Sequence, residues 1–76
     1  MEFDEGKIDE MTLALLWLGL HEECRVWKGF DWDAMDRLHA KGYISDPQRK
    51  AKSVVLTEEG ERRSRALFER HFARKV

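Results

Sequence analysis

His21 and Cys24 stand at an H-x-x-C spacing, which is half of a metal site. Zinc usually takes four ligands, and the chain offers no second cysteine and no paired histidine at ligand spacing, with His39 and His71 lying elsewhere. The pair therefore reads as ordinary helix-end residues. Cys24 as a nucleophile lacks a flanking signature and a convincing base. Asp31, Asp33 and Asp36 form a candidate nucleolytic cluster, but Asp31 and Asp33 do not share a helical face, and helix capping accounts for Asp31. No G-x-S-x-G and no phosphate-cradling glycine loop occurs, so neither catalysis nor a cofactor or metal is expected. What remains is binding chemistry. Arg49, Lys50 and Lys52 fall in a loop with no acid after Asp46 and suit phosphate. Trp27 and Trp32 suit base stacking or a protein hot spot.

These residues must be held by a small fold. A chain of 76 residues is expected to be one domain, 1–76, whose single core leaves roughly 3–5 kcal/mol of net stability. Support from a partner subunit follows naturally. The composition, 42% apolar and 38% charged, is globular. One cysteine excludes an internal disulfide, and no leader-like pattern opens the sequence, so a cytoplasmic protein is expected. No apolar run approaches the roughly 18 residues of a membrane span, and no membrane partner is expected. The net charge of −1 conceals a split: residues 1–38 carry ten acids and four bases, and residues 39–76 five acids and ten bases. Unlike halves either attract each other or leave a basic surface for an anionic partner.

A first helix is expected over 7–23, with Asp9 and Glu10 in the first turn favouring the helix dipole. Ile8, Met11, Leu15 and Leu18 fall on one side of its wheel and Leu13, Trp17 and Leu20 on the other, with Ala14 and Leu16 on the flanks. Such a helix is apolar nearly all round. A homodimer joined through Met11, Leu13, Leu16, Trp17 and Leu20 would bury the surplus face. Asp31 is a good N-cap for a second helix, with Phe30 before it stapled to Met35, and Trp27 and Trp32 are expected to plug the core. Gly42 suits the C′ position of that helix. Residues 43–45 and 53–57 read as two strands of a hairpin, with Asp46-Pro47 beginning the turn. Thr57 caps a last helix to about residue 73, with Leu67, Phe68 and Phe72 inward and a basic stripe of Arg63, Arg70 and Arg74.

The expected fold is mainly α with a β-hairpin: helix, helix, two-stranded wing and closing helix, a winged-helix-like layout short of one helix. The stretch Asp36-Arg37-Leu38-His39-Ala40-Lys41-Gly42-Tyr43-Ile44 with Val55-Leu56-Thr57-Glu58-Glu59-Gly60 resembles the R-L-x-x-K-G-x-I to L-T-x-E-G signature of MarR- and PadR-type bacterial regulators. Nearly the whole chain also resembles a family of short, uncharacterised bacterial proteins built around W-K-G-F-D-W, a likeness that implies no activity. The regulator resemblance implies that the helix over 33–41 reads duplex DNA, with Arg37 and Lys41 at the groove and Arg49, Lys50 and Lys52 on the wing. Two aspartates on the same helix, Asp33 and Asp36, argue instead for a protein-interaction or accessory module. Both readings are open at the level of sequence.

Overall fold

The structure is a computed structural model that describes residues 2–20, 25–48 and 52–74. Helix α1 (Glu5–Leu16) begins two residues earlier than expected, because the Asp4 carboxylate accepts from the Lys7 N–H at 3.0 Å and supplies the N-cap. It also ends earlier. A single 3-10 turn, Trp17–Gly19, tightens its last carbonyls and delivers Leu20 in extended conformation. Residues 21–24, with His21 and Cys24, lie outside the described residues.

Strand β1 (Arg25–Trp27) has no counterpart in the sequence reading. It pairs antiparallel with β2 (Ser53–Val55), placing Arg25 opposite Val55, Val26 opposite Val54 and Trp27 opposite Ser53. The expected partner at 43–45 supplies one bridge, Ile44 to Leu56, on the chain side beyond the ladder. The Ser45 N–H donates to the Val55 carbonyl at 2.9 Å, and the Thr57 N–H to that of Tyr43 at 3.0 Å. Burial decides the pairing, since Val26 and Val54 face each other with almost no exposure. Three residues are too few for alternation to show in sequence.

Helix α2 (Trp32–Ala40) is specified at both ends. Asp31 accepts from the Ala34 N–H at 3.1 Å, and Gly42 has φ +82°. The Gly42 N–H reaches the His39 carbonyl at 2.9 Å and the Tyr43 N–H that of Leu38 at 3.1 Å, the paired bonds of a Schellman ending. Helix α3 (Glu58–Phe72) starts on Thr57, which accepts from the Gly60 N–H at 2.9 Å and donates to the Gly42 carbonyl at 2.6 Å. One hydroxyl thus joins the end of α2 to the start of α3.

The result is mainly helical with a two-stranded antiparallel sheet, in a winged-helix-like layout. Leu13 and Leu16 of α1, Met35 and Leu38 of α2, Val26, Val54 and Leu56 of the sheet region, and Leu67 of α3 make one core. Of the expected inward residues of α3, Leu67 is buried, Phe68 half-buried and Phe72 41% exposed. Buried Ser64 donates to the Leu13 carbonyl at 2.7 Å, so α1 and α3 meet through a small side chain. No helix among the described residues is long and apolar enough to cross a membrane.

Gly60 is fixed by space. A Cβ built there lies 1.8 Å from the Tyr43 carbonyl oxygen and 2.7 Å from its carbon, backbone atoms that have no rotamer to change. Helix propensity alone favours alanine over glycine by about 1 kcal/mol. Gly60→Ala is nevertheless expected to lose about 2 kcal/mol through forced backbone movement, read as a lower urea midpoint at unchanged slope. Gly29→Ala, where the new Cβ meets nothing within 4 Å, should stay within about 0.5 kcal/mol of the parent.

Candidate functional site

Asp9 is the first unexpected feature. It lies on the wheel with Leu13 and Leu16 and is 1% exposed. Arg37 Nε donates to its Oδ1 and Oδ2 at 3.0 and 2.8 Å, Arg37 Nη2 donates to Oδ1 at 2.8 Å, and Lys41 Nζ donates to Oδ2 at 3.1 Å. Arg37 Nη1 turns outward to Glu5 at 3.1 Å. Burial pushes the Asp9 carboxyl up, but the hydrogen bonds and charges of Arg37 and Lys41 outweigh it and hold the group below the ordinary 3.8. Arg37 is raised in turn, chiefly by its hydrogen bonds to Asp9.

Arg37 and Lys41, expected at a DNA groove, are here the partners of Asp9. Both cations are committed to a buried carboxylate 28 and 32 residues away in sequence. The outward side of α2 is left with exposed Asp33 and Asp36, the latter accepting from Gln48 Nε2 at 2.9 Å. Lys52 is exposed, whereas Arg49 and Lys50 lie outside the described residues. Arg63, Arg70 and Arg74 are exposed, and the Arg63 guanidinium stands 6.0 Å from the Tyr43 ring centroid. Arg62 is paired with Glu59, and Arg65 with Glu69 at 3.0 Å.

Leu13 and Leu16, two of the residues expected at a dimer contact, are 1% exposed and form part of the chain's own core. Trp17 and Leu20 are half-buried, with Leu20 packed on the core and Arg65 over the Trp17 ring at 6.0 Å. The face turned outward is the opposite one. Ile8 is 39% exposed, Met11 and Leu15 half-buried, and Leu18 69% exposed, a stripe at helical spacing.

Nor do the tryptophans plug the core: Trp27 is 58% and Trp32 76% exposed. Strand alternation turns Trp27 to the side opposite buried Val26. Trp32 follows the cap directly and leaves the inward positions to Ala34, Met35 and Leu38. Phe30 is half-buried against the core. Leu15, Leu16, Leu18, Val26, Trp27 and Phe30, with Gly19, line an open groove of about 330 Å³, continuous with the α1 stripe. Its lining is almost entirely apolar, and among the described residues no three His, Cys, Asp or Glu side chains converge as a metal site.

A model of the family described as Domain of unknown function (DUF6429) matches residues 4–74. The chain belongs to this family. It is 62% identical over 74 residues to "Uncharacterized protein y4hR" of Sinorhizobium fredii (strain NBRC 101917 / NGR234), covering 97% of this chain and all of that protein. No solved structure matches. The family match spans every element of the fold, so the groove and the Asp9 cluster both lie inside the family's domain.

Sequence reading missed the role of Asp9 and the exposed aromatics. A signal for Asp9 existed, an acid sharing a helix face with two leucines, although a first-turn acid is equally explained by the dipole. Asp9→Asn should lower stability by about 2 kcal/mol, roughly 8–16 °C in Tm, because charged hydrogen bonds are lost at a buried position. Since the native carboxyl titrates below its unfolded value, its stabilisation is complete above about pH 5 and is lost as pH falls through the native value. Thermal melts of Asp9→Asn should therefore show a flatter fall in Tm below about pH 5 than those of the parent.

Proposed function

We propose that this chain is a protein-interaction module on a winged-helix-like frame, docking through the α1 stripe and the Leu18–Trp27–Phe30 groove. The observation that carries the reading is the exposure of Leu18 and Trp27 at the groove, in a chain whose described core closes without them. Large aromatics in water at a concave apolar surface are what a partner's anchor residues require. The acidic outer side of α2 fits the same reading, because phosphate would be repelled there.

A second copy is one partner the stripe suits, giving a homodimer through Met11, Leu15, Leu18 and Trp27 rather than through Leu13 and Leu16. An isologous contact needs only that one patch complement itself, and an apolar helix face does so easily. Contact with duplex DNA is a second reading, favoured by the exposure of Lys52, Arg70 and Arg74. It moves the contact from α2 to the wing side and α3.

Sedimentation equilibrium and anisotropy separate the two. Self-association at tens of micromolar is the expected result, abolished by the double variant Leu18→Ser, Trp27→Ser with the circular dichroism unchanged. A labelled duplex at about 50 mM salt should show no binding. The DNA reading takes over if the duplex binds with a steep salt dependence that Lys52→Ala, Arg70→Ala and Arg74→Ala flatten.

A further inference from the structure

Beyond the groove, the other end of the α1 stripe opens into a cleft of about 400 Å³ between the N-terminal segment and the start of α2. Phe3, 71% exposed, and Ile8, 39% exposed, give it an apolar floor. Glu2, Glu5, Asp31 and Asp33 surround that floor, and the one cation in the lining is Arg37, whose guanidinium is bound to Asp9 and Glu5.

We propose that this cleft receives a cationic amphipathic peptide segment of another protein, with an apolar side chain between Phe3 and Ile8 and flanking lysine or arginine beside the carboxylates. The proposal rests on the protein-binding reading and adds the chemistry of the partner. Charge complementarity selects that occupant. A neutral apolar segment would strip water from carboxylates and return no counter-charge, and an anionic segment would be repelled. A basic apolar segment covers the floor and meets the acids at once. The surrounding sequence points the same way, with ten acids against four bases over residues 1–38.

The test uses the whole chain and two labelled amphipathic peptides, one of leucine and lysine, the other with each lysine replaced by glutamate. Anisotropy should show the lysine peptide binding at least about tenfold more tightly than the glutamate peptide at about 50 mM salt, with the difference shrinking as salt rises. The double variant Glu2→Lys, Asp33→Lys should weaken the lysine peptide by about tenfold, and Phe3→Ala should weaken it at unchanged charge. Glu59→Lys with Glu69→Lys on α3 makes the same change in net charge at a distance and should alter binding by no more than about twofold. Equal affinity for the two peptides, no binding of either, or equal weakening by the α3 variant overturns the proposal. Each of those results leaves the protein-binding reading standing, because that reading is measured by self-association at Leu18 and Trp27.

Discussion

A carboxylate carried into the core of so small a protein sets the terms for everything around it. Asp9 loses almost all of its water, and an isolated ion in that position would protonate or prevent the helix from packing. Three hydrogen bonds from Arg37 and one from Lys41 make the position tolerable. They also fix where α2 sits on α1, because a bidentate guanidinium tolerates little error in distance or angle. The Schellman ending at Gly42 places Lys41 at the end of the helix, within reach of the same carboxylate. The outer pair with Glu5 remains in solvent and contributes little. A side chain that sequence presents as a helix-dipole partner is thus the centre of the α1–α2 contact.

Around this centre the remaining contacts are short-range and steric. Gly60 lets the first turn of α3 touch the Tyr43 backbone, Thr57 ties that turn to the end of α2, and Ser64 brings α3 onto α1. Small residues at close approaches leave little room for repacking. His71 adds a further α1–α3 contact, with Nε2 3.5 Å from Glu10. The Glu10 carboxyl is held below its ordinary value, first by His71 and against a smaller desolvation. The core that results is closed using one face of α1, which leaves the other face turned outward.

The proposed function rests on what this packing uses and what it leaves. Arg37 and Lys41 neutralise Asp9, and the residues left exposed on α2 are Trp32, Asp33, Asp36, His39 and Ala40. Trp27 has moved the other way, from the expected core plug to the rim of a groove that it shares with Leu18 and Phe30. Membership of the DUF6429 family covers residues 4–74 and so the whole of this arrangement.

Much of this was legible in the linear chain. Asp31, Thr57 and Gly42 announce their roles because caps and turns depend on a few neighbouring backbone groups, and the structure places each in that role. The two-faced character of α1 was legible for the same reason, since helical spacing is local. What the sequence could not tell is which of the two faces the core would take. That choice depends on where α2 and α3 land, and it buried Leu13 and Leu16 while leaving Ile8 and Leu18 outward. The strand at Arg25–Trp27 became visible only through Val54, a partner 28 residues away, and the direction of Trp27 followed from it. Asp9 likewise acquired its meaning from Arg37, at a separation no local pattern spans. Local backbone chemistry was thus written in the order of residues, whereas the partner of each charge and the exposure of each large apolar side chain were decided by long-range packing.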